Sequence, residues 1–431
     1  MSKFSSLKST VALASLMLPL ACSSTAWAQD VVNLRMTIWS ANEAHLALFN
    51  EIADGFKADH PGVAVTFEPN PFDSYTTTLT TQIAGGNAPD VLQMDYRYIV
   101  EYAKRNAIAP LDEFVGGALK LDGFDADQLE GGKVDGKLYG ISLGANSVAT
   151  LVNTVAFQEA GVEIPTNDWT YEELMTKGEA FAKANIRGGM KMMMDGSYSE
   201  PMLDNWLRQK GLMLYTADGK LGFGAEEMTE WLTMWKTMRD AGIIVSPDNQ
   251  ALDTGPLETT MLVSGKAAMM PSNSNQLVAF QTLVPDKLDM IGYPRLAAGV
   301  GGGHYRKPSM FFSIGGTSAN KEAAAEFLNF FISDPEAAKI LGVERGIPCL
   351  EATREVVAPT LDEQNQIALN FVSNLGDLLG PLPPPPPASA GEIDASLLRV
   401  IGQEVGFGAR TPEDAGPYFV SEATAILERA S

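Results

Sequence analysis

A chain of 431 residues, 45% of them hydrophobic, is too long for one small core and too apolar to be disordered throughout. Its formal net charge of −22 argues against nucleic acid or anionic lipid as partners, because basic patches hold those.

The chain opens with Lys3 and Lys8, an apolar run from Val11 to Ala21, and the small-x-small sequence Ala26-Trp27-Ala28. That order reads as a secretory leader over residues 1–28, cleaved to leave Gln29 at the mature N-terminus. A second reading takes Leu20-Ala21-Cys22 as a lipoprotein site with Cys22 lipidated, although Pro19 fits that pattern poorly. No later stretch approaches the ~20 apolar residues of a membrane span. With Cys22 removed, Cys349 stands alone; no intramolecular disulfide is possible, and it reads as a small buried hydrophobe.

Short strands and amphipathic helices then alternate. Val32 to Trp39 is rich in β-formers, and Leu46, Phe49, Ile52 and Phe56 recur at helical spacing until Pro61-Gly62. Val63, Val65 and Phe67 alternate as in a strand, a polar helix covers Thr76 to Ala84, and Asp90 to Asp95 is a further strand. This order predicts an α/β lobe with a largely parallel sheet, whose ligands sit beyond the carboxyl ends of the strands. Trp39 to Asn42, Pro71 to Tyr75 and Asp95-Tyr96 are such ends. From Asp168 to Ala241 the pattern is mainly helical, with Trp231 and Trp235 one turn apart and read as core. A second α/β stretch begins near Met310. The run Pro381 to Pro387, six prolines and one leucine, is extended and reads as a stiff surface connector, or else as a proline-rich ligand for another protein. Thr411-Pro412-Glu413-Asp414 reads as a helix N-terminus.

Catalytic patterns are scarce. His45, His60 and His304 lack metal-ligand spacing, and no Gly-x-Ser-x-Gly elbow is present. Ser318-Ala319-Asn320-Lys321 matches a Ser-x-x-Lys pattern but opens a plain amphipathic helix, so capping is the expectation. No cofactor or metal is expected. Paired carboxylates for glycoside cleavage stay open, since 53 acids offer many pairs.

Several segments, taken in order, carry a resemblance. They are Gly85-Gly86-Asn87-Ala88-Pro89-Asp90-Val91, Gly136-Lys137-Leu138-Tyr139-Gly140-Ile141, Gly265-Lys266-Ala267-Ala268-Met269, Ser318 to Ala324, and Gly346-Ile347-Pro348. This set resembles the extracellular solute-binding proteins of sugar ABC importers, of the maltose-binding-protein-like kind. Val152 departs from the tyrosine usual there, and Asn153 reads as a structural cap. Arg306-Lys307-Pro308 and Glu344 to Pro348 look closest to members that bind oligogalacturonides, yet the first loop lacks the arginine expected for an acidic sugar.

The resemblance implies a periplasmic-binding-protein type II-like fold, two α/β lobes with a ligand cleft between them. One lobe would combine 29–120 with 312–360, the other 121–311 with 361–431. It implies a monomeric, non-enzymatic periplasmic protein that hands an oligosaccharide to the membrane permease subunits of an ABC importer. Sugars present apolar C–H faces and rings of hydroxyls, so aromatic and short polar side chains are the candidates for the cleft. The aromatic candidates are Trp39, Tyr96, Tyr305 and Trp206; the polar ones are Ser40, Asn42, Asp95, Asn273 and Ser274. Most have a plainer alternative: strand-end packing for Trp39 and Tyr96, a helix cap for Asp95, a polar turn for Asn273 and Ser274, a loop made mobile by Gly299 to Gly303 for Tyr305, core packing for Trp206. Rival functions are an exported polysaccharide hydrolase or lyase, a receptor signalling to a membrane sensor, and a binder of a small non-sugar solute.

Overall fold

The computed structural model describes residues 31–40, 43–387 and 389–430; the leader, Cys22 and Asn42 lie outside the described residues. In chain order the strands that build the two main sheets are β1 (Val32–Trp39), β2 (Val63–Asn70), β3 (Val91–Met94), β4 (Ile141–Ser142), β5 (Val148–Asn153), β6 (Lys191–Met193), β7 (Ala267–Asn273), β8 (Leu288–Ile291) and β9 (Phe311–Ile314). The helices used below are α1 (Glu43–Asp59), α2 (Glu200–Gln209), α3 (Ala225–Asp240), α4 (Lys321–Ser333) and α5 (Pro412–Ala430).

The first sheet has the order β2-β1-β3-β9-β4. β1 runs parallel to β2 and β3, while β9 is antiparallel to β3 and β4. The expected parallel core is therefore present, and β9 returns to it after the long middle section. Leu34, Met36 and Ile38, alternating along β1, are buried, and α1 lays Phe49, Ile52 and Phe56 into the same core. Phe331 of α4 closes that core against Phe49 and Phe312, with centroids 5.3 and 4.8 Å away.

The second sheet has the order β8-β5-β7-β6. β5 is antiparallel to β7 and β8, and β6 is parallel to β7. The section from Asp168 to Ala241 is mainly helical, as expected, and adds one strand at residues 191–193, which a run of four methionines, with no β-branched residue among them, did not announce. Against this sheet α2, α3 and α5 build a second core, in which Trp231 and Trp235 are buried with centroids 5.5 Å apart.

Several resemblance segments have a local physical reason. Asp90 accepts from Arg35 N at 3.0 Å, Ser318 Oγ at 2.5 Å and Asn320 Nδ2 at 3.3 Å, so two motifs far apart in sequence meet at one carboxylate. Ser318 also accepts from Asn320 N at 3.0 Å, so its hydroxyl is a turn element just before α4. Asp135 and Gly136 both have positive φ, 50° and 80°, and join the antiparallel pair Lys133–Val134 and Lys137–Leu138 as an Asp-Gly hairpin does. Asn153 Oδ1 caps the following helix by accepting from Ala156 N at 2.9 Å, and Thr411 Oγ1 caps α5 by accepting from Asp414 N at 3.2 Å.

Candidate ligand-binding cleft

A cavity of about 260 Å³ is lined by residues that follow strands of both sheets, Tyr96 just after β3 and Asn273 at the end of β7. Its floor is α2. Ser199 caps that helix by accepting from Met202 N at 3.4 Å, and Pro201 stands in its first turn. Met202, Leu203, Trp206 and Leu207 turn into the second core. The opposite stripe, at four-residue spacing, presents Glu200 and Asp204 to the cavity. Arg208, the next residue of that stripe, donates from Nε to Gly303 O at 3.0 Å and from Nη2 to Pro381 O at 2.5 Å, and lies 4.9 Å over the Tyr305 ring. A Cβ at Gly303 would stand 2.7 Å from Asn205 Nδ2, so glycine is what lets this strip of chain lie against α2.

The proline run forms a wall of the same cavity through Leu382, Pro383, Pro384 and Pro386. Its start is held where Gly380 N donates to His304 O at 2.7 Å. His304 is 1% exposed; burial pushes its imidazole down to about 3, and neutral Nε2 accepts from Tyr293 N at 2.9 Å. Further along, Pro383 O accepts from Tyr96 Oη at 2.8 Å. A connector expected on the surface is thus a lining element, which its sequence could not disclose because the contact is non-local.

The electrostatics of the floor are unusual. Burial, reinforced by Asp394 and opposed by Tyr215, pushes Glu200 up to about 7. Burial, opposed by the Arg208 charge, pushes Asp204 up to about 6. Burial also pushes the Tyr96 phenol up to about 12 and raises that of Tyr305, so both keep their protons. Tyr215, 6% exposed, sets its hydroxyl beside Glu200, sealed from solvent and engaged with that carboxyl.

Of the residues singled out from sequence, Tyr96, Asn273 and Tyr305 come together around this cavity. Trp39 and Asp95 line a separate small hollow, with Trp39 edge-on to Phe72 and Tyr75 at 5.8 and 5.0 Å. Asp95 accepts from Arg97 N at 2.9 Å and Arg97 Nε at 3.0 Å, so it folds its own turn and does not cap a helix. Ser40 N donates to Asn70 O at 2.9 Å, prolonging the β1–β2 ladder. Two expectations shift. Trp206 is 1% exposed, packed 5.6 Å from Trp231 with the Lys210 ammonium 4.2 Å from its ring, and presents no face to the cleft. Ser274 is buried and exchanges hydrogen bonds with Ser147, N to O at 2.8 Å and Oγ from N at 3.1 Å, so it joins β5 to β7. Glu200, Asp204 and Tyr215 were missed; the signal present was an acid pair opposite the Met202–Trp206 stripe.

Chemically, this is a cleft of aromatic rings, pyrrolidine faces and oxygen acceptors. Cys349 is 3% exposed and burial pushes its thiol up to about 12, so it is no thiolate nucleophile at neutral pH.

The family model described as bacterial extracellular solute-binding protein matches residues 40–338, more than half of the chain. The chain belongs to that family. A solute-binding protein family 1 structure from Alicyclobacillus acidocaldarius is similar at a TM-score of 0.83 and 29% identity, over 92% of this chain and 99% of that one. A periplasmic oligogalacturonide binding protein from Yersinia enterocolitica is similar at 0.77 and 25% identity, over 93% and 100%. A structure of such a protein in complex with saturated digalacturonic acid gives 0.69 at the same identity, over 93% and 99%. A curated binding protein of Brucella abortus is 26% identical over 327 residues, 74% of this chain and 76% of that protein. This solute-binding protein therefore has the type II periplasmic fold, and its family is one of extracellular, generally non-enzymatic proteins. No helix among the described residues is long and apolar enough to cross a membrane.

Proposed function

We propose that this protein captures an oligosaccharide in the cleft and delivers it to the permease of an ABC importer. The observation that carries this reading is the lining itself. Tyr96, Tyr305 and the proline wall offer flat apolar faces, while Glu200, Asp204 and Asn273 offer hydroxyl partners, from elements of both sheets. Relatives with saccharide ligands in their names support it. The chain would leave the cytoplasm through the leader cleaved after Ala28 and act as a monomer.

The two lobes would close on the sugar by hinge motion. The sequence-based division assigned 121–311 to the second lobe. Because β4 pairs with β9, we place the crossings nearer the short antiparallel pair Ala145–Asn146 and Lys307–Pro308.

A thermal-shift screen of the protein from Gln29 against oligosaccharides tests the reading. A saccharide at ~100 times its dissociation constant adds about 2.7 kcal/mol to the native state. A flat response to all saccharides from folded protein would sink it. The raised carboxyls of Glu200 and Asp204 also invite a glycosidase reading. They sit one turn apart on the same helix face, however, and approach a ligand from one side, whereas glycoside cleavage needs carboxyls flanking the bond. Sustained release of reducing ends by purified protein would reverse that judgement.

A further inference from the structure

The supply of hydrogen-bond donors and charges around the cavity narrows the ligand, resting on the saccharide reading above. The wall formed by Pro383, Pro384 and Pro386 has no backbone N–H, so it can accept hydrogen bonds and cannot give them. The floor presents two carboxyl groups, Glu200 and Asp204, one helical turn apart. An anion placed between these surfaces finds lone pairs on two sides.

The cations that could have balanced this are committed elsewhere. Arg208 spends its guanidinium on Gly303 O and Pro381 O. Arg306, part of the segment resembling acidic-sugar binders, is held by Asp127 at 2.8 and 2.7 Å and by Asp125 at 3.0 Å. Arg345, from the other such segment, is buried in the first core, 5.1 Å over the Phe49 ring. Among the described residues Lys307 is the cation left at the cavity lining, and it is exposed. An isolated, hydrated ammonium there is a weak substitute for the planar two-donor grip that arginine gives a carboxylate.

The Tyr215 hydroxyl is buried beside Glu200 and already engaged with its carboxyl, so it is no free donor for an anion either.

We propose that the cavity takes a saccharide unit without a carboxylate, whose hydroxyls donate to Glu200 and Asp204, and that it refuses uronates. The chain thus parts in specificity from the oligogalacturonide-binding protein to which it is similar.

The test titrates the protein from Gln29 with maltotriose, cellotriose, xylotriose and digalacturonic acid, by calorimetry at pH 7.5. At least one neutral trisaccharide binds, with digalacturonate at least ~100-fold weaker, about 2.7 kcal/mol. Digalacturonate binding as tightly as the best neutral sugar overturns the proposal while leaving the carbohydrate reading intact. Binding of none of the four sugars, by protein shown to be folded, overturns both. The double variant Glu200→Gln, Asp204→Asn keeps shape and removes charge, and it narrows the discrimination at least ~10-fold. Unchanged discrimination in a folded variant also overturns the proposal. Should that variant not fold, Lys307→Ala decides: wild-type refusal persists in it, and a digalacturonate affinity that depends on Lys307 and matches that of the neutral sugars counts against the proposal.

Discussion

The Tyr96 hydroxyl donates to the carbonyl of Pro383 at 2.8 Å, tying the loop after the third strand of the first sheet to a proline wall 287 residues further along the chain. It is a tie between the element that brings an aromatic ring to the cleft and the element that encloses it. Replacing Tyr96 by Phe keeps the ring and removes the tie. The Pro383 carbonyl retains only part of its solvation, so the loss is one net hydrogen bond, about 1 kcal/mol, read from the urea midpoint at unchanged slope. Sugar affinity falls more than stability does, because the wall loses its anchor on the first-sheet side.

Asp90 shows why two quoted motifs go together. It accepts from Arg35 N, Ser318 Oγ and Asn320 Nδ2, joining the first strand, the third strand and the turn before the helix Lys321–Ser333. Asp90→Ala strands the three donors and costs about 2–4 kcal/mol. Asp90→Asn keeps the shape, loses the charge-assisted character of the bonds, and costs clearly less. Equal destabilisation by the two variants in urea unfolding would contradict this account.

A third test concerns the helical core. Arg239 donates from Nε to Asp195 Oδ2 at 2.7 Å, with a second bond from Nη2, and both residues are buried. Burial raises the Asp195 carboxyl against the pull of Arg239 and Ser197. Arg239→Met leaves a buried carboxylate without its counter-charge, so unfolding becomes easier by about 3–5 kcal/mol. Adding Asp195→Leu recovers part of that loss, which a double-mutant cycle in guanidinium measures.

How much of this was legible in the sequence follows from the range of each interaction. The first strand and helix were readable because Leu34, Met36 and Ile38 alternate and Phe49, Ile52 and Phe56 recur at helical spacing, and local periodicity reports burial directly. Ordered motifs gave the fold, since each marks a local turn or cap such as Asp135-Gly136 or Asn153. The floor of the cleft was not legible. Glu200 and Asp204 look like any solvated helix stripe until Pro381 to Pro387, far along the chain, is seen to cover them. Trp206 took the plainer of its two readings: a large aromatic on a helix near the cleft has two faces of the helix to choose from, and the Met202–Leu207 stripe took it into the core.

The last prediction concerns pH, and it separates ligand binding from folding. Asp394 and Tyr215 face Glu200, which stands at about 7; Arg208 and Tyr305 neighbour Asp204, which stands at about 6. Hydroxyls that donate to carboxylates bind the ionised forms better, so a neutral oligosaccharide binds most tightly above pH 8. Its affinity falls as pH drops through 7 and then 6, by at least ~10-fold at pH 5. Stability of the free protein moves the other way in the contribution of these two groups. Their folded values lie above the unfolded ones, so the native state holds extra protons between about 4 and 7. That contribution is present below about 4 and is lost as pH rises through 6 and 7. His304 works against it, because its depressed folded value makes the native state lose stability as pH falls below about 6.5. Comparison with Glu200→Gln, Asp204→Asn removes the histidine, which is common to both proteins. The unfolding free energy of wild type minus that of the variant therefore falls as pH rises, while wild-type affinity grows and the variant's stays flat. A wild-type affinity independent of pH from 5 to 8 would show that the ligand does not rest on this floor.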